Sequence, residues 1–179
     1  MWIKWATIEE ENGNLGSYEI PHSASWIYKE ACIQSQIGNE SIWVSWANYV
    51  ARNKSILPVL SDDPLLAMLK EKCFAGTSTV YPWLAWAIIE EARGNIGDYS
   101  KEYSAAWLYK ESCTNHNSGQ EHGCLSKWAQ FAYKYPLVNG FGELITAEYV
   151  YEYAQKTCPG FNNPLWIDLT NFKKEIGYQ

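Results

Sequence analysis

Residues 2–32 read WIKWATIEEENGNLGSYEIPHSASWIYKEAC, and residues 83–113 read WLAWAIIEEARGNIGDYSKEYSAAWLYKESC. The two stretches align without a gap at an offset of 81 residues, and seventeen of the thirty-one positions are identical. Self-similarity on this scale marks a repeat architecture, so it governs the reading of the whole chain.

Working outward, a fainter copy begins WVSWANYV at Trp43, which halves the period to about 40 residues, within the range typical of helical repeats. A further copy starts LSKWAQFA at Leu125, and a last one starts WIDLTNFK at Trp166. Five openings share one pattern: Trp2 and Trp5, Trp43 and Trp46, Trp83 and Trp86, Leu125 and Trp128, Trp166 and Leu169. Each pair is three residues apart, and a third apolar residue follows three further on at Ile8, Tyr49, Ile89, Phe131 and Phe172. That spacing places one apolar stripe along one helix face, and it nominates Trp2, Trp5, Trp43, Trp46, Trp83, Trp86, Trp128 and Trp166 as structural core.

A second helix follows in each of the first four units. Ala24, Ile27, Tyr28 and Ala31 fall at i, i+3, i+4 and i+7, and Ala105, Leu108, Tyr109 and Ser112 repeat the arrangement. Ala147, Val150, Tyr151 and Ala154 carry it in the fourth unit, and Leu65, Met68 and Leu69 in the diverged second. This is amphipathic-helix periodicity. Pro64 behind Asp63 suits a first helical residue behind an acidic cap. Gly13 to Gly16 and Gly94 to Gly97 stand where the first helix of a pair must stop and the chain double back. The expected fold is all-α, a right-handed α-α superhelix of antiparallel helix pairs in one domain spanning 1–179. Its units run over about 1–38, 39–79, 80–121, 122–161 and a partial 162–179. A pair of this size cannot cover its own aromatic stripe, so each unit is expected to wall off its neighbour's rings. The chain opens almost directly on a core Trp and closes after the first helix of a unit, the pattern expected of a piece of a longer solenoid or of a small protein whose last helix acts as the lid.

The motif W-x-x-W-A-x-I-E, seen as WIKWATIE and WLAWAIIE, resembles the opening of the half-a-tetratricopeptide (HAT) repeat. The second-helix motif A-x-x-I-Y-K-E-A at Ala24 to Ala31 is similar to the second HAT helix. Where that family usually has Arg after the Ala, this chain has Ser25, Ala106 and Glu148, and its units are longer than the family's. The resemblance implies a superhelical scaffold within an RNA-processing complex, nuclear in a eukaryote, that holds proteins together or dimerises. A small bacterial or viral adaptor or inhibitor of the tetratricopeptide or Sel1-like kind is the nearest alternative.

Composition narrows the choice. The chain is 47% hydrophobic, as a folded protein should be. Its net charge of −6 at pH 7 argues against non-specific attraction to polyanions. No apolar run reaches the roughly 18 residues of a membrane span, and no basic-then-apolar start suggests a signal peptide, so an intracellular, soluble protein without a membrane partner is expected. There is no P-loop, dinucleotide fingerprint or nucleophile elbow. Glu9 with Glu10 and Glu90 with Glu91 invite an acid–base reading. Adjacent helical residues point about 100° apart, however, and both pairs recur at equivalent positions. Capping or bridging between helices fits them better, and no catalytic residue or cofactor is expected.

Cys32, Cys73 and Cys113 end successive second helices, with Cys158 slightly later in the fourth. Equivalent positions of stacked units lie too far apart for a disulfide, so these are expected to be small buried residues. One cluster departs from the repeat: Cys113, His116, His122 and Cys124 could supply four zinc ligands. Their spacing matches no common finger, and the loop after Cys32 is only one residue shorter with no histidine. A polar inter-repeat loop is the expectation there, with zinc as the weaker candidate.

Trp26 and Trp107 stand one residue off the inward stripe, flanked by Lys29, Glu30, Lys110 and Glu111. The two tryptophans are expected either to pack between units or to project onto the concave face as anchors, since exposed Trp and Tyr among mixed charge suit the anchoring of a protein or peptide. Trp26, Trp107, Lys29, Lys110 and Tyr149 are therefore the candidate partner-contacting residues. The expected partners are other proteins or peptides, a homo-oligomer included. Direct binding of nucleic acid is disfavoured because basic residues are few and the signatures of RNA-binding modules are missing.

Overall fold

The protein's fold was derived from a computed structural model that describes residues 1–35, 39–54, 63–76, 79–116 and 122–157, together with 167, 168, 170, 171 and 174. Among these residues it is all-α apart from one short hairpin. The helices are α1 (Trp2–Glu11), α2 (Ala24–Ile33), α3 (Ser41–Arg52), α4 (Pro64–Phe74), α5 (Val80–Ala92), α6 (Ala105–Thr114), α7 (His122–Lys134) and α8 (Ala147–Thr157). Residues 167, 168, 170, 171 and 174 are also helical, where the sequence places the fifth opening helix. The chain divides into two compact units, Met1–Gly94 and Asn95–Gln179, so the boundary falls within the G-N-x-G turn of the third repeat.

In the first unit α1 packs on α2, α2 on α3, and α5 on both α3 and α4. Local chemistry sets the helix starts. The Ser23 hydroxyl accepts the Trp26 N–H at 3.2 Å at the head of α2. Asp63 caps α4, accepting from the N–H groups of Leu65 at 2.9 Å and Leu66 at 3.2 Å, with Pro64 at the first helical position as expected. The buried carboxylate of Glu40 accepts the Thr79 N–H at 3.0 Å and bonds the Thr79 hydroxyl, which ties the start of α3 to the start of α5. Glu10 accepts from Arg52 Nε at 3.1 Å, Arg52 Nη2 at 2.9 Å and Asn53 Nδ2 at 2.9 Å, joining α1 to the end of α3. Burial pushes the Glu10 carboxyl up, but these hydrogen bonds and the Arg52 charge outweigh it and hold it below the usual range.

In the second unit α7 packs on α6 and α8. The Tyr109 ring meets Phe131 at 4.8 Å, just as Tyr28 meets Tyr49 at 4.7 Å in the first unit. The link from α7 to α8 holds the hairpin, β1 (Leu137–Val138) antiparallel to β2 (Leu144–Ile145), with Leu137 opposite Ile145 and Val138 opposite Leu144. Asn139 shapes its turn by accepting from the N–H groups of Phe141 at 2.9 Å and Glu143 at 3.0 Å.

Of the eight core tryptophans expected, Trp43, Trp46, Trp83, Trp86 and Trp128 are buried, and Trp2 and Trp5 are half-buried. Trp166 lies outside the described residues, as do Leu169 and Phe172. Ile8 differs most from expectation, at 53% exposed where its counterpart Ile89 is fully covered. The helices that cover α5 have no counterpart over that side of α1 among the described residues.

Candidate partner-binding face

The loop from α1 to α2 and the stretch from α5 to α6 adopt one conformation twice. Gly13 and Gly94 have φ of 75° and 80°, and Gly16 and Gly97 have 56° and 60°. The Ala24 N–H donates to the Asn14 carbonyl at 2.9 Å, and the Ala105 N–H to the Asn95 carbonyl at 2.9 Å. Ser23 Oγ donates to the Ser17 carbonyl at 3.0 Å, and Ser104 Oγ to the Asp98 carbonyl at 2.9 Å. A Cβ added at Gly16 would stand 2.7 Å from Ser23 Oγ, and one at Gly97 2.6 Å from Ser104 Oγ. Only glycine permits both that backbone and that approach.

The same loops hold two non-glycine residues in the left-handed region, His22 at φ 65° and Tyr103 at φ 61°. That conformation costs roughly 1–2 kcal/mol for an L-residue, so the surroundings must hold it. Asn14 Nδ2 donates to the His22 carbonyl at 3.2 Å, and Asn95 Nδ2 to the Tyr103 carbonyl at 3.2 Å. Both residues sit just before the serine cap, and both present an exposed aromatic ring to the tryptophan that follows. His22 lies 5.4 Å from Trp26, and Tyr103 lies 5.3 Å from Trp107, each edge to face. Helical spacing marks the two tryptophans but not these ring partners. The signal was the aromatic residue shared by positions 22 and 103 within an otherwise divergent stretch.

Trp26 and Trp107 are half-buried, with Trp26 also 6.4 Å from Trp5. Lys29 is half-buried with Nζ 3.8 Å from Glu30, and Lys110 is exposed. Tyr149 is half-buried on the first turn of α8, its N–H donating to Thr146 Oγ1 at 3.3 Å.

The paired glutamates bind neighbouring groups. Glu9 accepts from Trp5 Nε1 at 3.2 Å and Asn14 Nδ2 at 2.8 Å, and Glu90 from Trp86 Nε1 at 3.1 Å and Arg93 at 3.2 Å. Each first glutamate therefore holds the indole one turn before it.

The cysteine expectation needs correction at one place. Cys32 and Cys73 are buried and outside any disulfide, and desolvation pushes the Cys73 thiol up to about 12. Cys113 and Cys124, however, form a disulfide, with Cα atoms 5.9 Å apart. The distance objection concerned equivalent positions of successive units. These two are not equivalent, since one ends α6 and the other lies in the first turn of α7, where packed antiparallel helices converge. With both thiols oxidised, the Cys113, His116, His122 and Cys124 set has no thiolate to offer a metal. His116 stands 3.7 Å from Glu111, while the side chain of His122 and all of Cys158 fall outside the described residues. Among the described residues, no group of three or more His, Cys, Asp or Glu side chains could hold a metal ion. No helix among them is long and apolar enough to cross a membrane.

No protein-family model, curated protein or solved structure matches the chain.

Proposed function

We propose that this protein is a HAT-like helical-repeat scaffold whose helix pairs stack into a right-handed superhelix and which holds other proteins or peptides within an RNA-processing assembly. The observation that carries the reading is the recurrence of one strained element, an exposed aromatic residue at positive φ beside a half-buried tryptophan, at His22 with Trp26 and at Tyr103 with Trp107. Packing alone does not call for an exposed ring on a backbone that disfavours it. Strain of this kind persists where presentation of a side chain matters, and amphipathic rings are the usual anchors of protein interfaces. Mixed charge around them, from Lys29, Glu30, Lys110 and Glu111, suits a polypeptide better than a phosphate backbone.

The test is affinity purification from the native source of the parent and of a Trp26→Ala, Trp107→Ala double variant, with co-purifying proteins identified for each. Components of one RNA-processing complex should accompany the parent and be lost from a folded double variant. An unchanged set would remove the anchors, and a set without RNA-processing components would remove the setting. Small-angle scattering checks the architecture independently, since a stacked superhelix is more elongated than a globule of equal mass.

A further inference from the structure

We propose that the flank of α1 carrying Trp2, Trp5 and Ile8 is a docking surface for a single amphipathic helix of a protein partner, one that places a cation and an aromatic ring four residues apart. The chain contains its own template for such a contact. α1 and α5 are copies, and on α5 the corresponding flank is occupied by α4. The Phe74 ring lies 6.1 Å from Trp83 and 5.8 Å from Trp86, and Lys70 Nζ lies 5.2 Å over the Trp86 ring. Lys70 and Phe74 are one helical turn apart, so one face of α4 delivers both.

The receiving surface is the same on α1. Trp2 and Trp5 stack at 6.0 Å with 21° between planes, and Trp83 and Trp86 at 5.9 Å with 29°. The difference lies in the cover. Trp83 and Trp86 are 6% and 3% exposed, whereas Trp2 and Trp5 are half-buried and Ile8 is 53% exposed. His22 and Trp26 lie within ring contact of Trp5, but the Trp2 to Ile8 line has no cover like α4 among the described residues.

The other flank of α1 says how many helices dock. α5 packs on α3 as well as α4, and carries Ala85, Ile88 and Ala92 where α1 has Lys4, Thr7 and Glu11. That sector of α1 is made for water, while the tryptophan stripe is retained. One helix in the place of α4 is accommodated, and a complete helix pair in the place of α3 and α4 is not. Charge favours the cationic half of the partner, because Glu9 and Glu11 follow the stripe directly in a chain of net charge −6. The inference draws on the internal copy alone and stands or falls separately from the anchors Trp26 and Trp107.

The test titrates the full chain into a fluorescently labelled peptide of residues 63–76 with Cys73→Ser, followed by anisotropy. Saturable binding is expected, weakened at least tenfold by Lys70→Glu or Phe74→Ala in the peptide. Ile8→Asp in the protein should weaken it at least tenfold, and Ile33→Asp, at an exposed position of α2, should not change it. Trp2→Ser serves as a second protein variant, and circular dichroism confirms that each variant is folded. No saturable binding would overturn the proposal, as would binding that Ile8→Asp leaves intact, the result expected if the peptide merely displaced the protein's own α4. Self-association in sedimentation that Ile8→Asp abolishes, without peptide binding, would give the surface to a second copy and overturn it too.

Discussion

The hydroxyl of Tyr18, in the loop after α1, accepts the indole N–H of Trp46 on α3 at 3.2 Å, and Tyr99 accepts that of Trp128 on α7 at 3.4 Å. Each bond fixes a loop to the opening helix of the next pair, so it joins units that sequence alone shows only as neighbours. Trp46 is fully buried. Tyr18→Phe therefore leaves its N–H without that acceptor and should cost about 1–3 kcal/mol. Urea denaturation of the two proteins measures it, and coincident midpoints would show that the bond contributes nothing.

Gly13 and Gly16 separate two contributions to the turn. Both have positive φ, but a Cβ at Gly13 meets nothing within 4 Å, while one at Gly16 meets Ser23. Gly13→Ala should cost about 1–2 kcal/mol from backbone strain. Gly16→Ala adds a clash with the cap of α2 and should cost about 2–4 kcal/mol. Thermal melting orders them, and equal losses would remove the steric account.

The Cys113–Cys124 disulfide closes a loop with a sequence separation of 11. Its reduction, or Cys113→Ser with Cys124→Ser, should lower stability by about 2–3 kcal/mol through loop-closure entropy in the unfolded chain. The first copy is a control: Cys32 is buried beside no partner cysteine, and Ile42 occupies the place of Cys124. Alkylation of the denatured, unreduced protein should leave Cys113 and Cys124 unlabelled until reductant is added. Full labelling before reduction would show that the bond is absent.

Alkaline pH should destabilise the protein between about pH 10 and 12. Desolvation is the largest cause raising Tyr49 and Tyr99, each pushed up to about 12 from an ordinary value of 10.0. Below pH 10 both states keep these protons and stability is complete. Above it the unfolded chain releases them first, so unfolding gains, by at most about 1.4 kcal/mol per pH unit for each tyrosine. Tyr99→Phe should flatten the decline of denaturation midpoint with pH, and an unchanged slope would contradict the assignment.

Much of the molecule was legible in the sequence. Spacings of three and four marked each helix, because a helix exposes its periodicity locally. The glycines at 13, 16, 94 and 97 marked the turns, because positive φ excludes most side chains at any burial. Asp63 with Pro64 marked the start of α4 for an equally local reason. Two local signals were overlooked. A five-residue stretch with Asn139, Gly140 and Gly142 between Leu137-Val138 and Leu144-Ile145 announces the hairpin, and His22 aligned with Tyr103 announces the presented rings.

By itself the sequence determined the helices and the turn that recurs after α1 and α5, since each rests on contacts within a few residues; of the helix pairs it suggested, α1 packs on α2 and α7 on α8, whereas α3 packs on α5. Only the tertiary structure decided that Trp86 is covered while Trp5 is half open, that Cys113 meets Cys124, and that the boundary between compact units falls at Gly94. Those outcomes depend on which distant element arrives at a surface, and α1 and α5 carry nearly the same residues whether or not a neighbour such as α4 lies against them.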